Sequence, residues 1–414
     1  MRIPPLPDRF YPWAMRRTLA ALGDPALRVR LWTGAEVGAD PARAVATLVL
    51  RDPGAFARLV LDPEREFGEL FVEERLDVEG DLPAGLAEAF RAPAGAGWLR
   101  RLLPDRLVER ALDTSAERAA RNARHHYDVG NDFYALWLDE RMVYTCAYFA
   151  HPETSLEEAQ LAKLDHVCRK LALRPGERVV EAGCGWGALA LHMARWYGVR
   201  VLACNVSREQ TLYAREQAEK QGLADRVEFV LEDWRSLRGR FDAFVSVGML
   251  EHVGADHYAE LGAVIERCLA PGGRGFLHTI GRSRPQRLNR WTRSRVFPNA
   301  HPPTLREMMD VFEPHDFAVL DVENLRLHYR LTAAHWLRRF EAALPRVEAT
   351  VGRARARTWR LYLAGTVASF AAATLQLYQV LFTRARNDAI PWSRAAVYTG
   401  EPACFGGEDA AGAR

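Results

Sequence analysis

Val179-Val180-Glu181-Ala182-Gly183-Cys184-Gly185-Trp186-Gly187 runs from apolar residues into an acid and then sets three glycines at alternate positions. Ala188-Leu189-Ala190-Leu191-His192-Met193-Ala194 follows, a run of good helix formers. The pattern predicts a buried strand, a tight turn and a helix start. Glycine permits positive φ and lets a ligand approach the backbone without meeting a Cβ. The helix beyond offers N–H groups that lack intrahelical partners. The G-x-G-x-G spacing differs from the G-x-G-x-x-G dinucleotide fingerprint, and no Gly-Lys-Ser/Thr follows for a phosphate loop.

Downstream, strand and helix patterns alternate. Strands are expected at Arg178–Ala182, Arg200–Asn205, Val227–Leu231, Ala243–Val247 and Gly275–Ile280, and helices at Ala188–Tyr197, Arg208–Gln221 and Asp256–Leu269. Ser207 is a good N-cap, with Gln210 placed to close a capping box. Short connections between such elements predict an α/β fold with a Rossmann-like doubly wound parallel sheet. Ligands in such sheets lie at the carboxyl ends of the strands. That gathers Glu181–Gly187, Asn205, Asp233-Trp234 and Gly248–His252 around one crevice. Asn205 stands where a ribose could be held by amide hydrogen bonds. Asp233 and Trp234 suit adenine, a carboxylate accepting from the exocyclic amine and an indole stacking on the ring.

Upstream, residues 1–115 read as a separate small α+β domain with no catalytic constellation. Strand patterns lie at Val45–Leu50 and in the run Leu76–Leu82, and a helix at Ala55–Leu61. The run from Trp98 to Arg124 is arginine-rich and suits a solvated helix or a face on anionic lipid. His125-His126-Tyr127-Asp128-Val129-Gly130-Asn131-Asp132-Phe133-Tyr134 and Met142–Phe149 interleave aromatic and polar groups, as a site lining does. Leu156–Leu171 is an amphipathic helix with Leu161, Leu164, Val167, Cys168 and Leu171 on one face. A second, larger domain of residues 116–405 follows the first, and 406–414 read as a disordered tail.

Past the sheet, Arg282–Arg295 reads as a basic loop or lid, Thr304 as a helix cap, Leu325–Thr332 as a strand and His335–Ala343 as a helix. Leu361–Thr383 holds no charge between Arg360 and Arg384 and is long enough to span a bilayer. Its glycine, threonines, serine and glutamine favour a buried helix instead.

The 414 residues are 49% hydrophobic and 26% charged, the composition of a globular chain with a large core. A net charge of +3 gives no ground for nucleic-acid binding. Lys163, Lys170 and Lys220 are the only lysines, so the positive charge is nearly all arginine, which binds phosphate bidentately. The six cysteines form no C-x-x-C pair and no zinc spacing, so no metal is expected and a reduced, cytoplasmic protein is.

Glu181-x-Gly-x-Gly-x-Gly resembles the first motif of S-adenosylmethionine (SAM) methyltransferases. Together with His126–Tyr134, Tyr144-Thr-Cys-Ala-Tyr-Phe149, Ser246-Val-Gly-Met-Leu-Glu-His-Val-Gly254 and Leu277-His-Thr-Ile-Gly281, it makes the chain similar to the cyclopropane-fatty-acid synthase family, which includes the mycolic acid cyclopropane synthases. The likeness runs from about residue 50 to 400 and implies the class I SAM-methyltransferase fold. It implies transfer of a methylene from SAM to the cis double bond of an unsaturated phospholipid acyl chain, through a carbocation deprotonated by bound bicarbonate. The bicarbonate partners carry over as Cys146 and Ile280, through their backbones, with Glu251, His278 and Tyr329. The SAM site carries over as Tyr144, Thr145, Gly183, Gly185, Asn205, Gln210 and Trp234, beside Glu181, Gly187 and Asp233 from the crevice. Aromatic faces such as Tyr148 and Phe149 suit a cation. Asn205 and Thr145 stand where the family pattern more often has Thr and Ser. Phe370-Ala371-Ala372 lacks the arginine expected after that phenylalanine, which bears on substrate more than on reaction.

The resemblance also implies peripheral contact with the inner face of a membrane, and a homodimer is compatible with it. Three other readings stay open. Loss of a proton from a different carbon would give a methyl-branched or methylene chain. Small-molecule N-methylation would use Glu251 and His278 on an amine proton. A lipid-binding relic would have no reason to keep five separated polar partners.

Overall fold

The computed structural model describes residues 7, 9–91, 130–298 and 300–399. These fall into two compact units. One holds the described residues up to 91 with Leu288–Pro298 and Ala333–Thr374. The other holds 130–287, 300–332 and 375–399. A single cut near 115 therefore does not describe the chain, because two later segments join the N-terminal unit.

The N-terminal unit carries a four-stranded sheet: β1 (Leu27–Arg30), β2 (Glu36–Gly38), β3 (Ala46–Leu50) and β4 (Leu76–Gly80), in the order β2-β1-β3-β4. Asp52 caps the helix Pro53–Leu61 by accepting from Ala55 N at 2.9 Å, and Pro53 suits the first turn because its missing N–H would have no helical partner. Arg75 grips the same carboxylate through two N–H groups, at 2.6 and 2.9 Å. The helix Arg353–Ala371 packs here, with the Arg357 guanidinium 4.2 Å over the Phe71 ring.

The second unit is a seven-stranded sheet: β5 (Arg178–Ala182), β6 (Arg200–Asn205), β7 (Val227–Leu231), β8 (Phe241–Val247), β9 (Leu269–Gly281), β10 (Phe317–Asn324) and β11 (Gln376–Arg384). Its order is β10-β11-β9-β8-β5-β6-β7. β5 to β9 pair in parallel, as the alternating pattern predicts, while β11 lies antiparallel to both β9 and β10. The chain steps from β5 outward through β6 and β7, then returns to the other side of β5 with β8. The crevice for a ligand opens at that switch. One face of the sheet packs Val179, Ala203, Val245 and Phe276 against the helices Leu156–Lys170 and Ala188–Tyr197. The other packs Val180, Phe244, Leu277 and Val380 against Tyr258–Cys268 and Leu305–Phe312. Ser155 with Glu158, and Thr304 with Glu307, form capping boxes at their helix starts.

Three expectations are corrected. Leu361–Thr383 is not one helix: the helix ends at Ala371, Ala373 takes φ +57°, and β11 begins at Gln376. β11 has neighbours on both edges and is buried on both faces, so its sequence shows no alternation that separates it from a buried helix. Leu325–Thr332 is not a strand but opens the helix Arg326–Ala342, with Asn324 Oδ1 accepting from Arg326 N at 3.0 Å. Its period-2 apolar pattern misleads, since Leu327 is 56% exposed. In Leu156–Lys170, Leu161 points outward and Gln160 and Lys163 take buried positions. The basic run to Arg124, His125–Val129 and the tail from 406 lie outside the described residues.

Gly275 on β9 passes so close to β11 that a Cβ there would lie 2.0 Å from the Phe382 ring. Gly275→Ala should cost about 1–3 kcal/mol. Urea denaturation should show a lower midpoint with an unchanged slope.

Candidate active site

The turn after β5 forms as its glycines require. Gly183, Gly185 and Gly187 have φ of +80°, +54° and +85°. Gly183 N and Cys184 N both donate to Cys204 O, at 3.0 and 3.1 Å, which pins the turn to the end of β6. A Cβ on Gly187 would lie 2.7 Å from Phe229 and 2.9 Å from Ala214, and one on Gly183 would lie 3.0 Å from Met249. At Gly185 a Cβ would meet nothing within 4 Å. The loop is thus tightly backed at its two ends and open at its middle, a cradle that fits a ligand against bare backbone.

Asn205 closes the end of β6. Its amide donates to Gly185 O at 3.1 Å and to Gln210 Oε1 at 2.9 Å, while Oδ1 accepts from Ser207 N at 3.2 Å. Ser207 caps the helix Arg208–Lys220 as expected. The Gln210 side chain turns to Asn205 and does not close a capping box. Both Asn205 donors are therefore spent within the protein. Asp233 caps the following turn and pairs with Arg235 at 3.2 Å. The Trp234 indole is buried, with the Arg235 guanidinium 4.2 Å over one face.

Tyr144 and Thr145 reach the same crevice from upstream. The Tyr144 ring lies 5.3 Å from Trp137 and 5.7 Å from Tyr134, and Tyr134 lies 5.0 Å from Trp186 of the glycine turn. Trp186 Nε1 donates to Asn131 Oδ1 at 2.8 Å. Thr145 sits against Gly248, where a Cβ would lie 2.9 Å from its methyl group. Its carbonyl accepts from Gln160 at 2.9 Å, and its hydroxyl accepts from Lys163 Nζ at 2.9 Å. Glu181, at the end of β5, is fully buried, and burial pushes its carboxyl up to about 8 against the opposing pull of Lys163. Lys163 was not legible as a site residue. Its one signal is a lysine among the apolar positions of a helix, in a chain with three lysines.

The five residues expected to hold an anion fall on four segments: the loop at Cys146, a short helix with Glu251, β9 with His278 and Ile280, and the helix with Tyr329. Gly248 N donates to His278 O at 2.8 Å, joining the end of β8 to β9. The helix Leu250–Val253 then brings Glu251 to β9, where Oε1 accepts from Ile280 N at 2.5 Å. The other oxygen, Oε2, is buried without a hydrogen-bond partner. Burial pushes the Glu251 carboxyl up to about 7. His278 is 2% exposed, and burial holds its pKa well below the usual imidazole value, so the ring is neutral. Gln379 of β11 donates to its Nδ1 at 3.2 Å, which puts the ring proton on Nε2. That Nε2 is also buried without a partner.

Cys146 is buried, its thiol directed at Ala147 O and Leu325 O, and burial pushes its pKa far up. It is no nucleophile, in line with a backbone role. The segment after it is clamped: Ala147 N donates to Thr332 Oγ1 at 3.0 Å and Phe149 N to His328 Nδ1 at 2.9 Å. These bonds tie Cys146 to the helix turn that carries Tyr329, which is buried on a helix and not on a strand edge. Tyr148 stacks between His166 at 4.2 Å and His328 at 4.9 Å, so both its faces are taken and it is not a free face for a cation.

The raised Glu251 pKa has a stability consequence. The folded carboxyl binds its proton more tightly than the unfolded one, so its burial costs nothing below 4.5 and destabilises increasingly as pH rises toward about 7. Glu251→Gln should therefore gain stability relative to the parent across that window and level off above it. Urea titrations at pH 5, 6, 7 and 8 check this, and a pH-independent difference would contradict it.

The family model for mycolic acid cyclopropane synthetase matches residues 114–380. A probable fatty acid methyltransferase of Pseudomonas putida is 36% identical over 90% of this chain and 96% of its own length. The cyclopropane-fatty-acyl-phospholipid synthase of Escherichia coli K12 is 36% identical over 85% of this chain and 91% of its own. The mycolic acid cyclopropane synthase CmaA1, solved complexed with SAH and CTAB, superposes with a TM-score of 0.61 at 27% identity, covering 64% of this chain and 97% of that one. The glycine cradle, the buried Glu251 and His278 and the match across most of the chain place this protein in the mycolic acid cyclopropane synthetase family of SAM-dependent methyltransferases.

Proposed function

We propose that this chain transfers a methylene from SAM to the cis double bond of unsaturated phospholipid acyl chains and closes a cyclopropane ring. The observation that carries the reading is the pair of partnerless buried atoms, Glu251 Oε2 and His278 Nε2, on residues that converge on the C-terminal end of β9. A buried polar atom without a partner calls for an explanation, and a small ligand shared by two such atoms on neighbouring residues is one. Here a donor, Nε2–H, and a carboxyl poised near neutrality suit a small oxyanion such as bicarbonate.

Bound SAM would supply an electrophilic methyl group, and bound bicarbonate the base. The alkene π pair forms a bond to the methyl carbon while the carbon–sulfur pair leaves with the thioether. The carbocation left in the acyl chain would lose a proton from the new methyl group, and that C–H pair would close the ring. The chain's residues make this sequence feasible. The open middle of the glycine turn admits the donor, and the Gln210 amide and Trp234 line its nucleoside end. His278 would donate to the anion and Glu251 would hold its other side. The Ile280 N–H is given to Glu251 and its carbonyl accepts from Thr279 Oγ1 at 3.1 Å, so a protonated oxygen would share that carbonyl. Cys146 is kept protonated by burial, so no thiolate competes for the methyl group.

The acyl chain must leave a bilayer to reach this crevice. No helix among the described residues is long and apolar enough to cross a membrane, so contact through a surface is the reading we favour. A second reading keeps the cation and moves the deprotonation, giving a methyl-branched or methylene chain. The relative named as a probable fatty acid methyltransferase favours keeping it.

Purified protein with SAM and unsaturated phospholipid vesicles should yield lipids heavier by one methylene, with cyclopropane protons far upfield in the NMR spectrum. Olefinic or methyl-branch signals would select the second reading, and unchanged lipid would remove both. Glu251→Gln should lower turnover by about 100-fold or more. Cys146→Ala should keep turnover within about threefold, well short of a catalytic group's contribution.

A further inference from the structure

Lys163 is 2% exposed on the helix Leu156–Lys170, at a depth where an ammonium is unusual unless paired. Among the described residues its hydrogen bond goes to a hydroxyl, Thr145 Oγ1 at 2.9 Å. The groups that feel its charge are the carboxyls of Asp139 and Glu181, the thiols of Cys146 and Cys168, and the rings of His192 and His278. Asp139 is itself fixed, accepting from Val143 N at 2.8 Å and Arg141 N at 3.1 Å. The lysine thus stands between a loop carboxylate and the acid that ends β5, and spends a donor on a crevice residue.

We propose that Lys163 is a positioning residue for the methyl donor, acting through Thr145. A hydroxyl has one proton and two lone pairs. Once Thr145 Oγ1 accepts from the ammonium, its own proton must be donated elsewhere. An adjacent positive charge also makes that O–H a stronger donor. The structure thereby presents Thr145 as a fixed, polarised donor at the crevice, suited to a carboxylate such as that of the amino-acid end of SAM. The same bond, with Gln160 on the Thr145 carbonyl, holds Tyr144–Cys146 in place beside Gly248. Burial lowers the lysine pKa to about 8. This inference rests on the SAM reading above and adds a residue that the family motifs do not include.

The test uses the full chain with SAM and unsaturated phospholipid vesicles. Lys163→Met, Thr145→Val and the double variant are compared for SAM affinity by calorimetry and for KM and kcat. Each single variant should weaken SAM by about 10- to 100-fold, the range for a hydrogen bond to a charged group. The kcat at saturating SAM should hold within about threefold, and the double variant should be no worse than either single one. Losses that multiply in the double variant, or a kcat loss at unchanged SAM affinity, would overturn the proposal. If Lys163→Met does not fold by circular dichroism, Lys163→Gln keeps an N–H donor without the charge. It should fall between parent and Thr145→Val in SAM affinity, and parental affinity would again overturn the proposal. A parent chain that binds no SAM would instead sink the cofactor reading.

Discussion

β11 lies antiparallel to β9 from Gln376 opposite Gly281 to Thr383 opposite Arg274, and the chemistry of the site depends on that pairing. The register puts Gln379 opposite His278. The amide of Gln379 then decides which imidazole nitrogen carries the proton, and so decides that His278 offers a donor to the crevice. The same strand carries β10 on its outer edge, and β10 runs into the helix that bears Tyr329. A register slip of one residue would turn Gln379 to the opposite face and leave His278 without its partner.

The site's ionisable groups are governed by burial more than by pairing. Glu181, Glu251 and Lys163 are pushed toward their neutral forms, and His278 is held neutral. An environment that disfavours bare charge strengthens every remaining electrostatic contact. That suits a reaction in which a sulfonium and a carbocation must be held away from water and from nucleophiles. Cys146 illustrates the economy: its backbone position is kept by neighbours on both sides, and its thiol is silenced by burial.

How much was readable depended on whether a residue's neighbours are local. The strand–turn–helix around Gly183–Gly187 was legible because positive φ and close approach act on the residues themselves. Motif context singled out Glu251 and His278, which the fold brings together at the end of β9. β11 was not legible, since a doubly buried strand gives no alternation, and β10 takes its edge place only through pairing with that distant strand. Tyr329 was placed on a strand because alternating leucines imitate one, and the cap at Asn324 was the overlooked signal. Tyr148 was taken for an open face, and only the fold brings His166 and His328 onto both sides of it. Lys163 needed two distant carboxyls and a hydroxyl to be gathered before its burial made sense.

The claim at the centre is that Glu251 Oε2 and His278 Nε2 are kept without partners in order to hold an oxyanion. Its most direct measurement is turnover of SAM with unsaturated vesicles in buffer stripped of carbon dioxide, followed by titration with bicarbonate. The account predicts a deep loss of rate that bicarbonate restores saturably, with His278→Phe shifting the half-saturating concentration upward. Full turnover in stripped buffer, unaffected by added bicarbonate, would contradict it.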